Sequence, residues 1–119
     1  MKNIYSKLVG VAAALACVVG GPAQAQANGY PTKPVRLVVG YAPGGTTDIS
    51  ARMIADVLGK EFGQTFVVEN KPGANSNIGA ETVARAQPDG YTFFVGSIST
   101  AINQSLYSKM SYDALKDLD

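Results

Sequence analysis

A nine-residue pattern that occurs twice constrains this chain more than any other feature. Residues 43–51 and 72–80 share the spacing P-G-x-x-x-[DN]-I-x-A, 29 positions apart. A short apolar run precedes each copy, at 35–39 and 66–68, and a stretch with helical periodicity follows it. The pattern therefore predicts two consecutive strand–turn–helix units. In a parallel sheet such turns lie side by side at the carboxyl ends of the strands, where open α/β folds bind ligands.

A third apolar run, at 91–95, follows a Pro- and Gly-containing break at 87–90 and leads into small hydroxyl residues. The order βαβαβ predicts an α/β fold with a parallel sheet and right-handed crossovers. Each turn then places a helix N-terminus at the same edge of the sheet. Free backbone N–H groups and the positive end of the helix dipole make such a position suitable for an anion.

The first helix shows an apolar stripe. Ile49, Met53 and Val57 recur at every fourth position, with Ile54 and Leu58 beside them. A stripe of this kind is typical of a helix that packs on a sheet, so we expect it to face the strands. Gly63 is the expected end of this helix.

Polar residues in the turns mark the expected helix starts. The first helix is predicted to be capped by Thr46 or Thr47, with Asp48 in its first turn. The second is expected over 78–86, and a third is expected to follow the hydroxyl-rich segment. Candidate caps of the second helix are Asn75, Ser76 and Asn77, and candidate starts of the third are Ala101 and Asn103.

The first 27 residues have the layout of a cleaved secretory signal peptide. Lys2 and Lys7 give a basic start, residues 8–21 are apolar, and small-x-small cleavage sites lie at 23–27. A membrane anchor and a lipoprotein site at Cys17 are the alternatives. The mature chain, from residue 28, would then contain no cysteine. Export without disulfides indicates a bacterial periplasm.

Composition excludes several classes of function for residues 28–119. These residues carry 8 basic and 9 acidic side chains and no basic run, so nucleic acid is not an expected partner. Without His, and with its one Cys in the leader, the segment cannot supply a His base, a thiol nucleophile or the usual zinc ligands. Phosphate-loop, dinucleotide-binding and hydrolase-elbow motifs are missing. We therefore predict no catalytic residues, no metal and no cofactor.

The three turns carry short, mostly neutral side chains that can donate hydrogen bonds. A carboxylate accepts hydrogen bonds and donates none, so such a set suits a carboxylate ligand. Each residue taken alone is explained as well by capping or turn formation; the set together favours a binding site. Asp48 would repel a carboxylate, so it is expected to brace its turn or to hold a water or an amino group. The set is Thr46, Thr47, Asp48, Asn75, Ser76, Asn77, Ser97, Ser99 and Thr100.

Several motifs in fixed order resemble the start of Bug-type (TctC-like) solute receptors, the periplasmic receptors of tripartite tricarboxylate transporters. They are Tyr30–Arg36, Ala42–Gly45 with Thr47-Asp48, Val68–Ala74, Asn77–Ala80, Pro88–Thr92, Ala101–Asn103, and Tyr112-Asp113 with Lys116–Leu118. The resemblance implies the periplasmic-binding-protein (type II-like) fold, in which two α/β lobes close on a carboxylate. Residues 28–119 would be the N-terminal part of lobe 1, truncated before the hinge and the second lobe.

The resemblance also implies site residues and partners. In the family the first two strand–helix turns grip a ligand carboxyl group, a role that carries over to 41–48, including Tyr41, Gly44 and Gly45, and to 74–77, including Ala74. Membrane transporter subunits are the implied partners. Two departures stand out, since Gly45-Thr46-Thr47 replaces a common third glycine and Asn75-Ser76 replaces a common Gly-Gly pair.

The function that these features predict is capture of a small carboxylate in the periplasm and its delivery to a membrane transporter. Two alternatives remain open at this point. One is an enzyme or a sensory domain built on the same fold, which would need catalytic residues or a signalling domain after residue 119. The other is a truncated fragment with no function of its own.

Overall fold

The computed structural model describes residues 29–118 and contains three strands and three helices in alternating order. The predicted signal peptide lies outside the described residues. The strands are β1 (Val35–Val39), β2 (Phe66–Asn70) and β3 (Thr92–Val95), and the helices are α1 (Thr46–Phe62), α2 (Asn77–Ala84) and α3 (Ile98–Leu106). All pairings are parallel and the strand order is β2-β1-β3. The predicted α/β fold with a parallel sheet is confirmed.

Strand β1 forms the centre of the sheet and of the core. It pairs with β2 from Val35–Phe66 to Val39–Asn70, and with β3 on its other side. Val35, Val38 and Val39 are completely buried. A central strand with helices packed on it buries most of its side chains, which explains why four of the five residues of β1 are apolar and only Arg36 is exposed.

The chain crosses from one side of β1 to the other. It moves from β1 to β2 through α1, and from β2 past β1 to β3 through α2. Helix α1 packs on β1 and β2, and α2 packs on β1 and β3. Because parallel crossovers are right-handed as a rule, crossovers in opposite directions are expected to put their helices on opposite faces of the sheet. The connections after β1 and β3 therefore diverge. Open α/β folds bind ligands at this position, outside the carboxyl ends of the strands.

The prediction that the apolar stripe of α1 faces the sheet is wrong. Met53 and Val57 are 66% and 64% exposed, and Ile49 and Ile54 are also exposed. The face that packs on the strands carries Ala51 and Ala55 instead, together with Asp48 from the first turn. Small side chains let the helix approach the sheet closely, and the stripe of larger residues lies on the other side.

The helix starts differ from the predictions in an instructive way. Helix α1 begins at Thr46 with Gly45 as its N-cap residue, so neither threonine caps it. Ser76 is the N-cap residue of α2, yet its side chain makes no capping hydrogen bond. Helix α3 begins at Ile98, earlier than expected, because the Ser97 hydroxyl accepts a hydrogen bond from the Ser99 N–H and starts the helix there. The predicted end of α1 at Gly63 is confirmed, with φ 64°.

At the amino end of the sheet, the segment before β1 is fastened to the segment before β3. The Tyr91 hydroxyl accepts a hydrogen bond from the Thr32 N–H at 3.0 Å. Lys33 Nζ lies 3.1 Å from Asp89 Oδ2 and 4.3 Å from the centroid of the Tyr91 ring. These contacts join the two segments at the amino edge of the sheet.

Candidate functional site

The connection between β1 and α1 folds around the carboxylate of Asp48. Asp48 is 3% exposed. Its Oδ2 accepts hydrogen bonds from the Gly44 N–H at 2.9 Å and from Arg52 Nε at 3.0 Å. The Arg52 guanidinium, followed by the Gly44 N–H and the Asn70 amide, holds the pKa of Asp48 well below its ordinary value. The carboxylate is therefore ionised and its charge is balanced within the turn.

Asn70 extends this network to the end of β2. Its Nδ2 donates to Asp48 Oδ1 at 2.9 Å and to the Tyr41 carbonyl at 3.0 Å, and its Oδ1 accepts from Arg52 at 3.2 Å. Both oxygens of Asp48 are thus engaged by the fold, which favours a bracing role for this residue. Asn70 was not among the predicted site residues, although a polar residue at the carboxyl end of a strand is a signal that the sequence offers.

The N-termini of α1 and α2 both lack a side-chain cap. Gly45 has no side chain, and Ser76 makes no capping hydrogen bond. The first N–H groups of an α-helix have no acceptor within the helix, so an acceptor from elsewhere is needed to satisfy them. Both helices begin at the carboxyl edge of the sheet, next to the diverging connections. In α2 the N–H groups of Asn77 and Ile78 already donate to the carbonyls of Ala74 and Gly73, so the free backbone donors at this edge come mainly from α1, while both helices contribute a positive dipole end.

The connection between β2 and α2 has a left-handed backbone at three successive residues that are not glycine. The φ angles of Ala74, Asn75 and Ser76 are 47°, 52° and 76°, and Gly73 before them has φ 132°. L-residues in this conformation cost about 1–2 kcal/mol each, somewhat less for Asn. Such a segment persists only where the surrounding structure holds it.

Two residues far along the chain hold this segment. Asn103 of α3 is completely buried, and its Nδ2 donates to the Asn75 carbonyl and to Asn77 Oδ1, both at 2.8 Å. Asn103 Oδ1 accepts from Asn75 Nδ2 at 2.8 Å. Tyr112 donates its hydroxyl to Asn77 Oδ1 at 3.0 Å. Neither Asn103 nor Tyr112 was predicted as a site residue, because their role depends on contacts that local sequence does not reveal.

The hydroxyl of Ser76 is buried against β1 without a hydrogen-bond partner in residues 29–118. A Cβ atom at Gly40 would overlap Ser76 Oγ, and one at Gly79 would lie 2.8 Å from Gly40 Cα. Helix α2 thus starts directly over the end of β1, and only glycine fits at these two positions. Thr100 Oγ1 at the start of α3 is likewise buried and unpartnered within the described residues.

Tyr41 links the β1–α1 connection to the start of α3. Its hydroxyl lies 2.5 Å from Ser97 Oγ and also contacts Ser99 Oγ, while the two serine oxygens are 3.1 Å apart. Burial raises the pKa of Tyr41, but hydrogen bonds from the Ser97 and Ser99 hydroxyls lower it by more, so the pKa of Tyr41 lies below its ordinary value. This hydroxyl cluster stands where the connections after β1 and β3 diverge.

The structure places all twelve predicted site residues at the carboxyl edge, where they differ in their contacts and in their exposure. Tyr41, Ser76 and Ser97 come together around the end of β1, and Asn75 and Asn77 are held by α3. Gly44, Gly45, Thr46 and Ala74 are exposed at the rim, and Thr47 is half-buried. Thr46 and Thr47 make no side-chain hydrogen bond to another described residue. Within 29–118 we find no cluster of His, Cys, Asp and Glu suited to a metal ion, and no helix long and apolar enough to span a membrane.

Comparison with known proteins assigns this chain to a family. Residues 50–119 match the tripartite tricarboxylate transporter family receptor, TctC. The chain belongs to this family. A UPF0065 protein from the gbd 5' region of Cupriavidus necator is 42% identical over 113 residues, which are 92% of this chain and 34% of that protein. The chain thus spans about a third of the length of that relative. The resemblance to Bug-type receptors is confirmed.

Two solved structures with high sequence identity contain a similar arrangement of strands and helices. The periplasmic binding protein BugD is 52% identical, with a TM-score of 0.53 over 55% of this chain and 22% of that chain. MatC from Rhodopseudomonas palustris, solved with bound malate, is 39% identical, with a TM-score of 0.70 over 74% of this chain and 30% of that chain. The neighbours are therefore binding proteins, and at least one of them binds a small dicarboxylate.

Proposed function

We propose that residues 28–119 form the first part of lobe 1 of a two-lobed periplasmic receptor, exported by a cleaved leader at 1–27. The receptor captures a small carboxylate and delivers it to the membrane subunits of a tripartite transporter. It is a binding protein without catalytic residues. The ligand lies against the carboxyl edge described above, and a second lobe closes on it from the other side.

One observation carries this proposal: the carboxyl edge has hydrogen-bond donors in excess. The N-terminus of α1 has no side-chain cap, and the hydroxyls of Ser76 and Thr100 are buried without a partner in residues 29–118. Unsatisfied buried polar groups are costly, so a ligand that accepts hydrogen bonds would stabilise them. A carboxylate supplies about four acceptor positions and no donor.

The charge distribution supports an anion at this edge. Asp48, the one buried carboxylate among residues 29–118, is neutralised by Arg52 and points into its own turn. Its repulsion of a bound anion is therefore balanced, and attraction comes from N–H groups and helix dipoles. The proposed contacts come from the backbone or side chains of Tyr41, Gly44, Gly45, Thr46, Thr47, Ala74, Asn75, Ser76, Asn77, Ser97 and Thr100, with Asp48 as the brace. The malate bound by MatC supports the same ligand class.

A thermal-shift screen of the two-lobed protein tests the proposal. The panel consists of malate, adipate, citrate, glutamate and benzoate, with hits confirmed by calorimetry. At a concentration one hundred times its Kd, a ligand adds about 2.7 kcal/mol to the free energy of unfolding. We expect at least one acid to raise the melting temperature and to be recovered chemically unchanged.

Two variants sharpen the screen. Ser76→Ala removes one proposed donor to the carboxylate, and we expect its Kd to rise about tenfold or more, since hydrogen bonds to charged groups contribute about 1.5–3 kcal/mol. Ser50→Ala is the matched control, because Ser50 is exposed on α1. Failure of every acid to shift the melting temperature would contradict the proposal, and so would turnover of a bound acid.

A further inference from the structure

We infer that Asn103 is a positioning residue of the ligand site: it holds residues 74–76 in their left-handed conformation and thereby aims the start of α2 at the ligand. The inference rests on the proposed function and adds to it a residue that touches no ligand. Helix α3 thereby fixes the distance between the β1–α1 and β2–α2 connections.

The backbone of residues 74–76 has a conformation that needs support. Ala74, Asn75 and Ser76 have Cβ atoms and yet adopt φ between 47° and 76°. Without tertiary contacts, such residues favour the right-handed region. A return of these residues to that region would move the Ser76 hydroxyl and the first N–H groups of α2 away from the end of β1. The conformation of this segment therefore decides whether the donors converge.

The hydrogen bonds of Asn103 supply this support. Asn103 uses both ends of its amide: Nδ2 donates to the Asn75 carbonyl and to Asn77 Oδ1, and Oδ1 accepts from Asn75 Nδ2, each at 2.8 Å. Asn103 is completely buried, so these bonds do not compete with water. Two of the three involve Asn75, the central residue of the left-handed segment.

Helix α3 also contacts the other side of the site, the β1–α1 connection. The first turn of α3 carries Ser99, which with the N-cap residue Ser97 contacts the Tyr41 hydroxyl. The same helix, one turn later, carries Asn103. Helix α3 is thus bonded to the β1–α1 connection through its beginning and to the β2–α2 connection through its middle. A rigid helix between two connections sets their separation.

The test is ligand affinity of the two-lobed protein, measured by calorimetry with malate and adipate at a temperature where circular dichroism shows each variant folded. We expect Asn103→Ala to raise the Kd about tenfold or more. Ser105→Ala, at an exposed position of the same helix, is expected to stay within about twofold of the wild type. A residue that only stabilises the fold would lower the melting temperature and leave the Kd of the folded protein unchanged.

A second variant isolates the backbone effect. Ala74→Gly removes no hydrogen bond, and glycine adopts φ above zero as readily as below it. In the Asn103→Ala background, Ala74→Gly is expected to recover about threefold of the lost affinity, because the loop no longer has a preference for leaving the left-handed region. An unchanged Kd in Asn103→Ala, or no recovery by Ala74→Gly, would overturn the inference.

Two further measurements keep the test decisive. Should Asn103→Ala not fold, Tyr112→Phe removes one hydroxyl from the same cluster, and we expect about a threefold rise in Kd; no rise would count against the inference. Backbone chemical shifts of residues 74–76 report the left-handed conformation directly in wild type and Asn103→Ala. A wild type that binds neither acid would refute the proposed function, whereas the shifts alone would still decide whether Asn103 holds the loop.

Discussion

The two copies of the P-G-x-x-x-[DN]-I-x-A pattern fold into different turns. In the first copy the helix begins at Thr46, and one residue, Gly44, is left-handed. In the second copy the residue equivalent to Thr46 is Asn75, which is left-handed with both of its neighbours, and the helix begins only at Asn77. The last position of the pattern behaves alike in both, since Ala51 and Ala80 are completely buried.

The acidic or amide position of the pattern explains the difference. Asp48 Oδ2 accepts hydrogen bonds from two local partners, the Gly44 N–H and Arg52, and only its Oδ1 is bound by a distant residue, Asn70, so the first turn is closed largely by its own residues. Asn77 instead accepts hydrogen bonds from Asn103 and Tyr112, which come much later in the chain. The comparison teaches that equal spacing fixes where a turn lies, whereas the range of its hydrogen bonds decides its shape and its dependence on the rest of the fold.

The largest expected difference between the copies is at their eighth position. Gly79→Ala places a Cβ atom 2.8 Å from Gly40 Cα and 3.2 Å from the Lys71 carbonyl, and backbone cannot move away cheaply. Overpacking of this kind costs about 1–3 kcal/mol. The equivalent residue in the first copy is Ser50, which is exposed, so Ser50→Ala is expected to change stability by less than about 0.5 kcal/mol. Urea unfolding of the two variants compares them, and equal stabilities would break the contrast.

The sixth position gives the second test, an exchange of Asp and Asn. Asp48→Asn turns an NH2 group toward the donors of Gly44, Arg52 or Asn70, and we expect a lower melting temperature. Asn77→Asp keeps an acceptor for Asn103 and adds a negative charge at the start of α2, where the helix dipole favours it. The melting temperature of Asn77→Asp is expected to stay near that of the wild type. A larger loss in Asn77→Asp than in Asp48→Asn would reverse our interpretation.

The same pair predicts a pH dependence. The folded pKa of Asp48 lies below its unfolded value of about 3.9, so its stabilising contribution is complete above that value and is lost as the pH falls through the folded pKa. The stability difference between wild type and Asp48→Asn should therefore be constant above about pH 5 and should shrink on further acidification. Thermal melts of both proteins between neutral and acidic pH measure this difference, and a gap that widens in acid would contradict it.

The smallest expected effect is also the one with opposite signs in the two copies. Ser76→Gly removes a hydroxyl that has no partner in the described part of the chain, together with a strained φ of 76°. We therefore expect the free energy of unfolding to rise by about 1 kcal/mol while the affinity for the acid falls. The equivalent Thr47→Gly lies in a helix and should lower the free energy of unfolding by a few tenths of a kcal/mol. Equal signs in urea unfolding would show that the two turns are alike after all.

Much of the fold was predictable because strands and turns are local signals. The run at 35–39 gave β1 with its observed bounds, and the order βαβαβ gave the parallel sheet. The packing face of α1 was not predictable from the apolar stripe. Ile49, Met53 and Val57 have the right spacing, but the small residues Ala51 and Ala55 face the sheet because they allow a closer approach. Helix starts were also missed where capping by threonine was expected and glycine was used instead.

The sequence predicted the edge of the sheet at which the candidate site lies, and the tertiary structure decided how the hydrogen bonds are divided among its residues. The paired turns indicated one edge and a set of neutral donors, and family membership agrees with a carboxylate ligand class. Which residues brace and which point outward depends on partners distant in sequence, such as Asn70 for Asp48 and Asn103 for Asn75. Those pairings form only when β2 and α3 take their places, so no local pattern reports them.

The sequence by itself determined the order of elements, the parallel sheet and the edge at which two echoed turns meet, because each of these follows from hydrophobic periodicity and turn chemistry over a few residues. Only the tertiary structure decided that the second turn is left-handed, that the Ser76 hydroxyl is buried with no partner among residues 29–118, and that Asn103 bonds to the carbonyl of Asn75 in that turn. The physical reason is that a strained backbone is stable only where distant side chains satisfy it.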